Sequence, residues 1–225
     1  MNKLKVSLLA IISSVLMIAS SSAIEVRVGA AAQFAMLEAS GSETLKDSGK
    51  VTTHKEQANA VIPSFFAEVA MDNGLGIGLD YIVGSADLAG SNQQSIGNTD
   101  SNRAEDTGTN TANAEVSSIH TLYLTKMFDS GLFLKLGMSS ADVKTKETLA
   151  SGTTYGNKSV DGLHYGIGFE RANDAGLFMR TALEHTDFDS LTLTGDESGL
   201  DTASFNKIKA DVDVTAVKFS VGKRF

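Results

Sequence analysis

The chain closes on Asp213-Val-Thr-Ala-Val-Lys-Phe-Ser-Val-Gly-Lys-Arg-Phe225, in which Val217, Phe219, Val221 and Phe225 share one parity. Ala216, Lys218, Ser220, Gly222 and Arg224 share the other. Side chains alternate across an extended strand, so one face of this segment suits hydrocarbon and the other suits a crowded polar interior. That pattern predicts the last strand of a membrane barrel.

The amino terminus predicts export on independent grounds. Lys3 and Lys5 precede an apolar run from Val6 to Ala19, and Ser21-Ser22-Ala23 supplies a small-residue cleavage site. Residues 1–23 therefore read as a cleaved Sec-type signal peptide and residues 24–225 as one barrel domain. There is no Cys, which excludes a disulfide framework and a lipid anchor through a cleaved Cys. The formal net charge is −8, and loss of the two signal lysines makes the remainder more acidic still. Nucleic acid is excluded as a partner class on charge.

Turn and loop punctuation divides the remainder into eight alternating segments: 24–39, 58–71, 75–86, 115–127, 132–141, 160–170, 177–188 and the terminal strand. In the first, Val26, Val28, Ala30, Ala32, Phe34 and Met36 oppose Arg27, Gly29, Ala31, Gln33 and Ala35. Strict period two over that length is a strand pattern. Asp72-Asn-Gly74, Asp129-Ser-Gly131 and Asn173-Asp-Ala-Gly176 read as tight turns. The polar stretches 40–57, 87–114, 142–159 and 189–207 read as four long loops. The expected fold is all-β, an eight-stranded antiparallel up-and-down transmembrane barrel with short periplasmic turns and long extracellular loops.

On this assignment Gly29, Gly76, Gly78, Gly84, Gly137, Gly162, Gly166, Gly168 and Gly222 face inward, making room for longer neighbours in a lumen that side chains can fill. The fillers include an interior charge network of Arg27, Lys135, Arg180 and Lys218 against Glu68, Asp80, Glu170 and Glu184. Charges removed from water are tolerated when paired and hydrogen-bonded, so a plugged interior is expected. A partner-swapping network would instead give a narrow, porin-like channel for small solutes.

The chain resembles the small eight-stranded outer-membrane barrels of Gram-negative bacteria, the opacity-like surface antigens and the transmembrane domain of outer membrane protein A. The resemblance rests on this architecture and on the terminal Phe225. It implies a cell outer-membrane location among lipids and lipopolysaccharide, and Phe225 as a signal read by the barrel-assembly machinery. Lys223 departs from the pattern, since a further apolar or aromatic residue usually stands there. No peptidoglycan-binding domain is expected after Phe225.

Some small barrels are lipid-modifying enzymes. If the Asp129 turn sets the register, Ser118, His120 and Asp142 share a face and a height, as a nucleophile, base and orienting acid would. No His-x-Ser pattern like that of lipid A deacylases accompanies them, and interfacial polarity is the preferred reading of these residues. His54 falls in the first loop, and His164 and His185 in the outer halves of their strands. Asp100, Glu105 and Asp106 in the second loop, and Asp189, Asp196, Glu197 and Asp201 in the fourth, lack the ligand spacing of a calcium loop. No catalytic residue, cofactor or metal site is assigned, and the expected function is non-enzymatic, with loops displayed to an extracellular ligand that the sequence does not name.

Overall fold

The computed structural model describes residues 24–44, 51–88, 94–96, 108–148, 154–196 and 207–225; the signal segment 1–23 lies outside them. Eight strands form the staves of a closed antiparallel barrel: β1 (Ile24–Thr44), β2 (Val51–Met71), β3 (Leu75–Ile82), β6 (Gly108–Met127), β7 (Leu132–Thr148), β9 (Lys158–Ala172), β10 (Leu177–Phe188) and β12 (Lys207–Arg224). The shorter β4 (Ser85–Leu88), β5 (Gln94–Ile96), β8 (Thr154–Tyr155) and β11 (Leu191–Asp196) lie between them in sequence. Closure comes from β12 pairing with β1, in register from Arg27↔Arg224 to Thr44↔Lys207. This closure joins the first and last staves, so neither chain end leaves a free sheet edge in a hydrocarbon environment.

Alternating burial follows the period-two sequence pattern. On β10, Phe178, Arg180, Ala182, Glu184, Thr186 and Phe188 are buried, while Leu177, Met179, Thr181 and Leu183 are exposed. Exposed apolar side chains recur around the wall, among them Phe34, Phe65, Leu79, Leu134, Ile167, Met179 and Phe219. Together they form a belt fit for lipid.

The three tight turns lie at one end. Gly74, Gly131 and Gly176 adopt φ of +77°, +87° and +79°, a region that penalises any Cβ. Each glycine carbonyl accepts a hydrogen bond from the next stave: Met127 N–H to Gly74 at 2.7 Å, Glu170 N–H to Gly131 at 2.8 Å and Arg224 N–H to Gly176 at 2.9 Å. The turns thus brace the rim as well as reverse the chain.

At the opposite end the strands outrun expectation. The stretch 40–57 is largely strand, with β1 and β2 paired residue for residue from Ile24↔Met71 to Thr44↔Val51. Likewise β6 begins at Gly108, β7 continues to Thr148, and β11 pairs with β12 through Leu191↔Ala210. Backbone pairing is indifferent to side-chain polarity, so polar residues continue a ladder that apolar ones begin. These extensions enclose an apolar core that includes Val116, Val143, Tyr155, Phe188, Leu191 and Leu193. The barrel interior is therefore charged below and apolar above.

Among the described residues, the wall opens between β2 and β3. The β2–β3 ladder ends at Ser64↔Ile82, followed by a bond from Val83 N–H to the Pro63 carbonyl at 2.9 Å. Pro63 has no N–H to continue the ladder. The chain then turns through Gly84 at φ +107° and β4 pairs with β6. Gly84 is exposed at this break rather than directed into the lumen, correcting its expected place among the inward glycines.

Candidate functional site

The inward charges meet in two layers. In the layer nearer the turns, Arg180 donates through Nη1 and Nη2 to the two carboxylate oxygens of Glu68, both at 3.0 Å, and through Nε to Glu170. Arg27 donates to Glu68 at 3.2 Å and lies 3.8 Å from Glu170. Glu25 and Arg224 extend this layer, through Arg27 and Glu170 respectively. Sequence reasoning left those two out of the network, although both are inward by parity, because they lie at the ends of their strands.

In the layer above, Lys135 donates to Glu184 and Lys218 donates to Asp80. Lys218 also lies 3.7 Å from Glu184, as does His164 Nε2. His164 Nδ1 is 2.9 Å from the Thr186 hydroxyl. All eight charged residues expected inside, Arg27, Glu68, Asp80, Lys135, Glu170, Arg180, Glu184 and Lys218, are buried. Each is less than a tenth exposed, so ion pairing and hydrogen bonds within the lumen replace their water.

Aromatic rings fill the spaces between charges. The Arg180 guanidinium lies 5.4, 5.3 and 5.0 Å from the ring centroids of Phe66, Phe133 and Phe178, and Lys135 Nζ lies 4.4 Å from that of Tyr123. These are cation–π distances. Every one of these rings covers a glycine on the neighbouring stave: Phe66 on Gly29, Tyr123 on Gly78, Phe133 on Gly168 and Phe178 on Gly222. A Cβ at those glycines would stand within 2.4 to 2.5 Å of ring carbon. These four glycines are thus seats for particular rings.

Cavities flank the two layers. A bowl of about 780 Å³ opens at the turn end, bordered by Glu25, Arg27, Lys126, Glu170 and Arg224 among others. A small cavity of about 40 Å³ separates the upper charge layer from the apolar core, between His164, Glu184, Lys218, Ile119 and Phe188.

The Ser118, His120 and Asp142 arrangement is redirected by a bulge. The β6–β7 register shifts between Ser117 and His120, and Ser118 takes φ of +54°. Asp142 consequently pairs with Ser117, and Ser159 Oγ donates to its carboxylate at 2.7 Å. His120 Nδ1 lies 3.0 Å from the Ser118 backbone carbonyl. Among the described residues, no group of three or more His, Asp or Glu is placed to hold a metal ion. His54 lies on β2 opposite Gly41, and His185 Nδ1 is 2.9 Å from Thr215 Oγ1. Of the loop acids, Asp100, Glu105, Asp106, Glu197 and Asp201 lie outside the described residues.

On the outer wall, Glu38, Asp213 and Asp187 stand opposite one another on β1, β12 and β10, just beyond the apolar belt at the loop end.

The fold defines a small eight-stranded barrel of outer-membrane type. No family model and no curated protein matches the chain. Among solved structures it is similar to the outer membrane protein OprG from Pseudomonas aeruginosa, with 14% identity over 91% of this chain and 97% of that one and a TM-score of 0.53. The outer membrane protein AlkL, solved in lipid bilayers, is also 14% identical over 88% of this chain and 90% of that one, with a TM-score of 0.50. At these identities the likeness concerns the fold alone.

Proposed function

We propose that this protein is a non-enzymatic outer-membrane surface barrel, sealed by its interior, that stabilises the membrane and displays the loop-end ribbons to external partners. The observation that carries the reading is the bidentate Arg180–Glu68 pair and the layers around it. An axial passage would have to separate buried, hydrogen-bonded charges and then cross the apolar core above. With the interior spent on closure, the surface left for recognition is the loop end. Outer-membrane lipids and lipopolysaccharide surround the belt, and the barrel-assembly machinery reads Phe225. Surface proteolysis of intact cells tests display: cleavage within 87–114 with residues 72–74 spared supports it, and the reverse pattern contradicts it.

A second reading, a narrow route for small solutes, draws support from the break at Pro63 and Gly84. There the route is lateral, with Ile62, Leu37 and Val214 at the inner margin and Val61, Phe65 and Tyr81 exposed outside. Release of an apolar fluorophore into bilayers, with and without a variant in which Pro63→Thr restores a ladder donor, distinguishes this route from the sealed reading.

A further inference from the structure

Three cation–aromatic pairs stand on the outer wall at the turn end. Lys126 Nζ lies 5.9 Å from the Phe128 centroid, Arg171 Cζ 4.7 Å from that of Phe169, and Lys223 Nζ 5.3 Å from that of Phe225. In each pair the two residues are i and i+2, so both side chains leave the wall on the same side. The pairs stand at the turn ends of β6, β9 and β12, with Phe128 and Phe225 one residue beyond their strands, and β7 and β10 separate them around the rim.

All three rings are exposed and continue the apolar belt. Arg171 and Lys223 are exposed as well, and Lys126 is half-buried, donating to the Asn73 carbonyl. The staves between contribute uncharged outward residues at this margin: Ile24, Leu75, Leu132 and Leu177. The nearby acids, Asp72, Asp129 and Asp174 in the turns and Glu25 and Glu170 on the inner side, all border the bowl, and Lys126, Phe128 and Arg171 border it as well. At the opposite margin the outward row Glu38, Asp187 and Asp213 is acidic. The belt is therefore edged with positive charge at the turn end.

We propose that these three pairs form a collar that binds the phosphate headgroups of anionic phospholipids in the leaflet facing the turns. A ring at headgroup depth leaves its apolar body among acyl chains, and the adjoining Lys or Arg reaches the phosphate with its stem on hydrocarbon. A zwitterionic headgroup carries its own cation and gains less from the collar. The inference rests on the membrane-spanning reading of the barrel and goes beyond it by naming which lipid is selected, where and by which residues.

Electron spin resonance of refolded protein in phosphatidylcholine bilayers, with spin-labelled phosphatidylglycerol or phosphatidylcholine as probe, measures the selection. Wild-type protein should hold the anionic probe about five-fold more strongly than the zwitterionic one, falling with added salt. The triple variant Lys126→Gln, Arg171→Gln, Lys223→Gln should bring that ratio close to unity, while Lys144→Gln, Lys207→Gln, Lys209→Gln at the loop end keeps it. Should the triple variant fail to fold, Arg171→Gln alone should still lower the ratio. Equal probe retention by wild type, or an unchanged ratio in the variants at the turn end, would overturn the collar. If neither probe shows immobilised lipid, the membrane-spanning reading falls together with it.

Discussion

Arg180 on β10 donates to both carboxylate oxygens of Glu68 on β2, each at 3.0 Å, joining staves 112 residues apart across the lumen. Removing one partner leaves the other charge buried without its main counterion. Arg180→Met is therefore expected to destabilise the barrel by about 3–5 kcal/mol. Exposed Lys144→Met should cost about 0–1 kcal/mol. Urea unfolding of both refolded variants in identical bilayers measures the difference, and equal stabilities would mean that water already screens the interior.

The glycine seats make a second prediction. An added Cβ at Gly78 would stand 2.4 Å from Tyr123 Cζ, and its nearest neighbours are all atoms of that side chain. Gly78→Ala should cost about 1–3 kcal/mol through overpacking. Tyr123→Leu removes the obstructing ring, so the double variant should be more stable than the sum of single costs implies. A strictly additive double-mutant cycle would show that the glycine is not a seat for the ring.

The acidic row makes a third prediction. Glu38 and Asp187 both stand directly opposite Asp213 in the ladder, and like charges so placed destabilise a sheet. Asp213→Asn should therefore stabilise the refolded barrel by about 0.2–1 kcal/mol, with an advantage that shrinks as salt is added. Urea unfolding at low and high salt measures it, and a loss of stability at low salt would contradict the repulsion.

The parity of the eight staves was legible in the sequence because alternation constrains every residue of a wall with lipid on one side. The same parity identified the eight interior charges. The upper limits of the strands were not legible. Val51-Thr-Thr-His looks like loop because it lacks apolar alternation, and Thr192-Leu-Thr does so because its outward residues meet water and polar ones suffice there. The bulge at Ser118 escaped because a serine, with no Gly or Pro beside it, carries the positive φ. Leu191, Leu193, Ile208 and Val212 did alternate, a signal that the polar residues around them obscured.

The carboxy terminus predicts an assembly defect. Phe225 exchanges two backbone hydrogen bonds with Val26, at 2.8 and 3.1 Å, where β12 closes on β1. Phe225→Asp should lower the amount of folded, heat-modifiable barrel in cells while export proceeds normally. Undiminished folded protein would reject Phe225 as the assembly signal.

Closure of the interior is tested most directly by planar-bilayer conductance. The ion-pair layers and the apolar core above them predict that wild-type protein gives no discrete conductance steps, even at high salt. Reproducible unitary steps from purified, folded wild-type barrel would contradict the sealed interior.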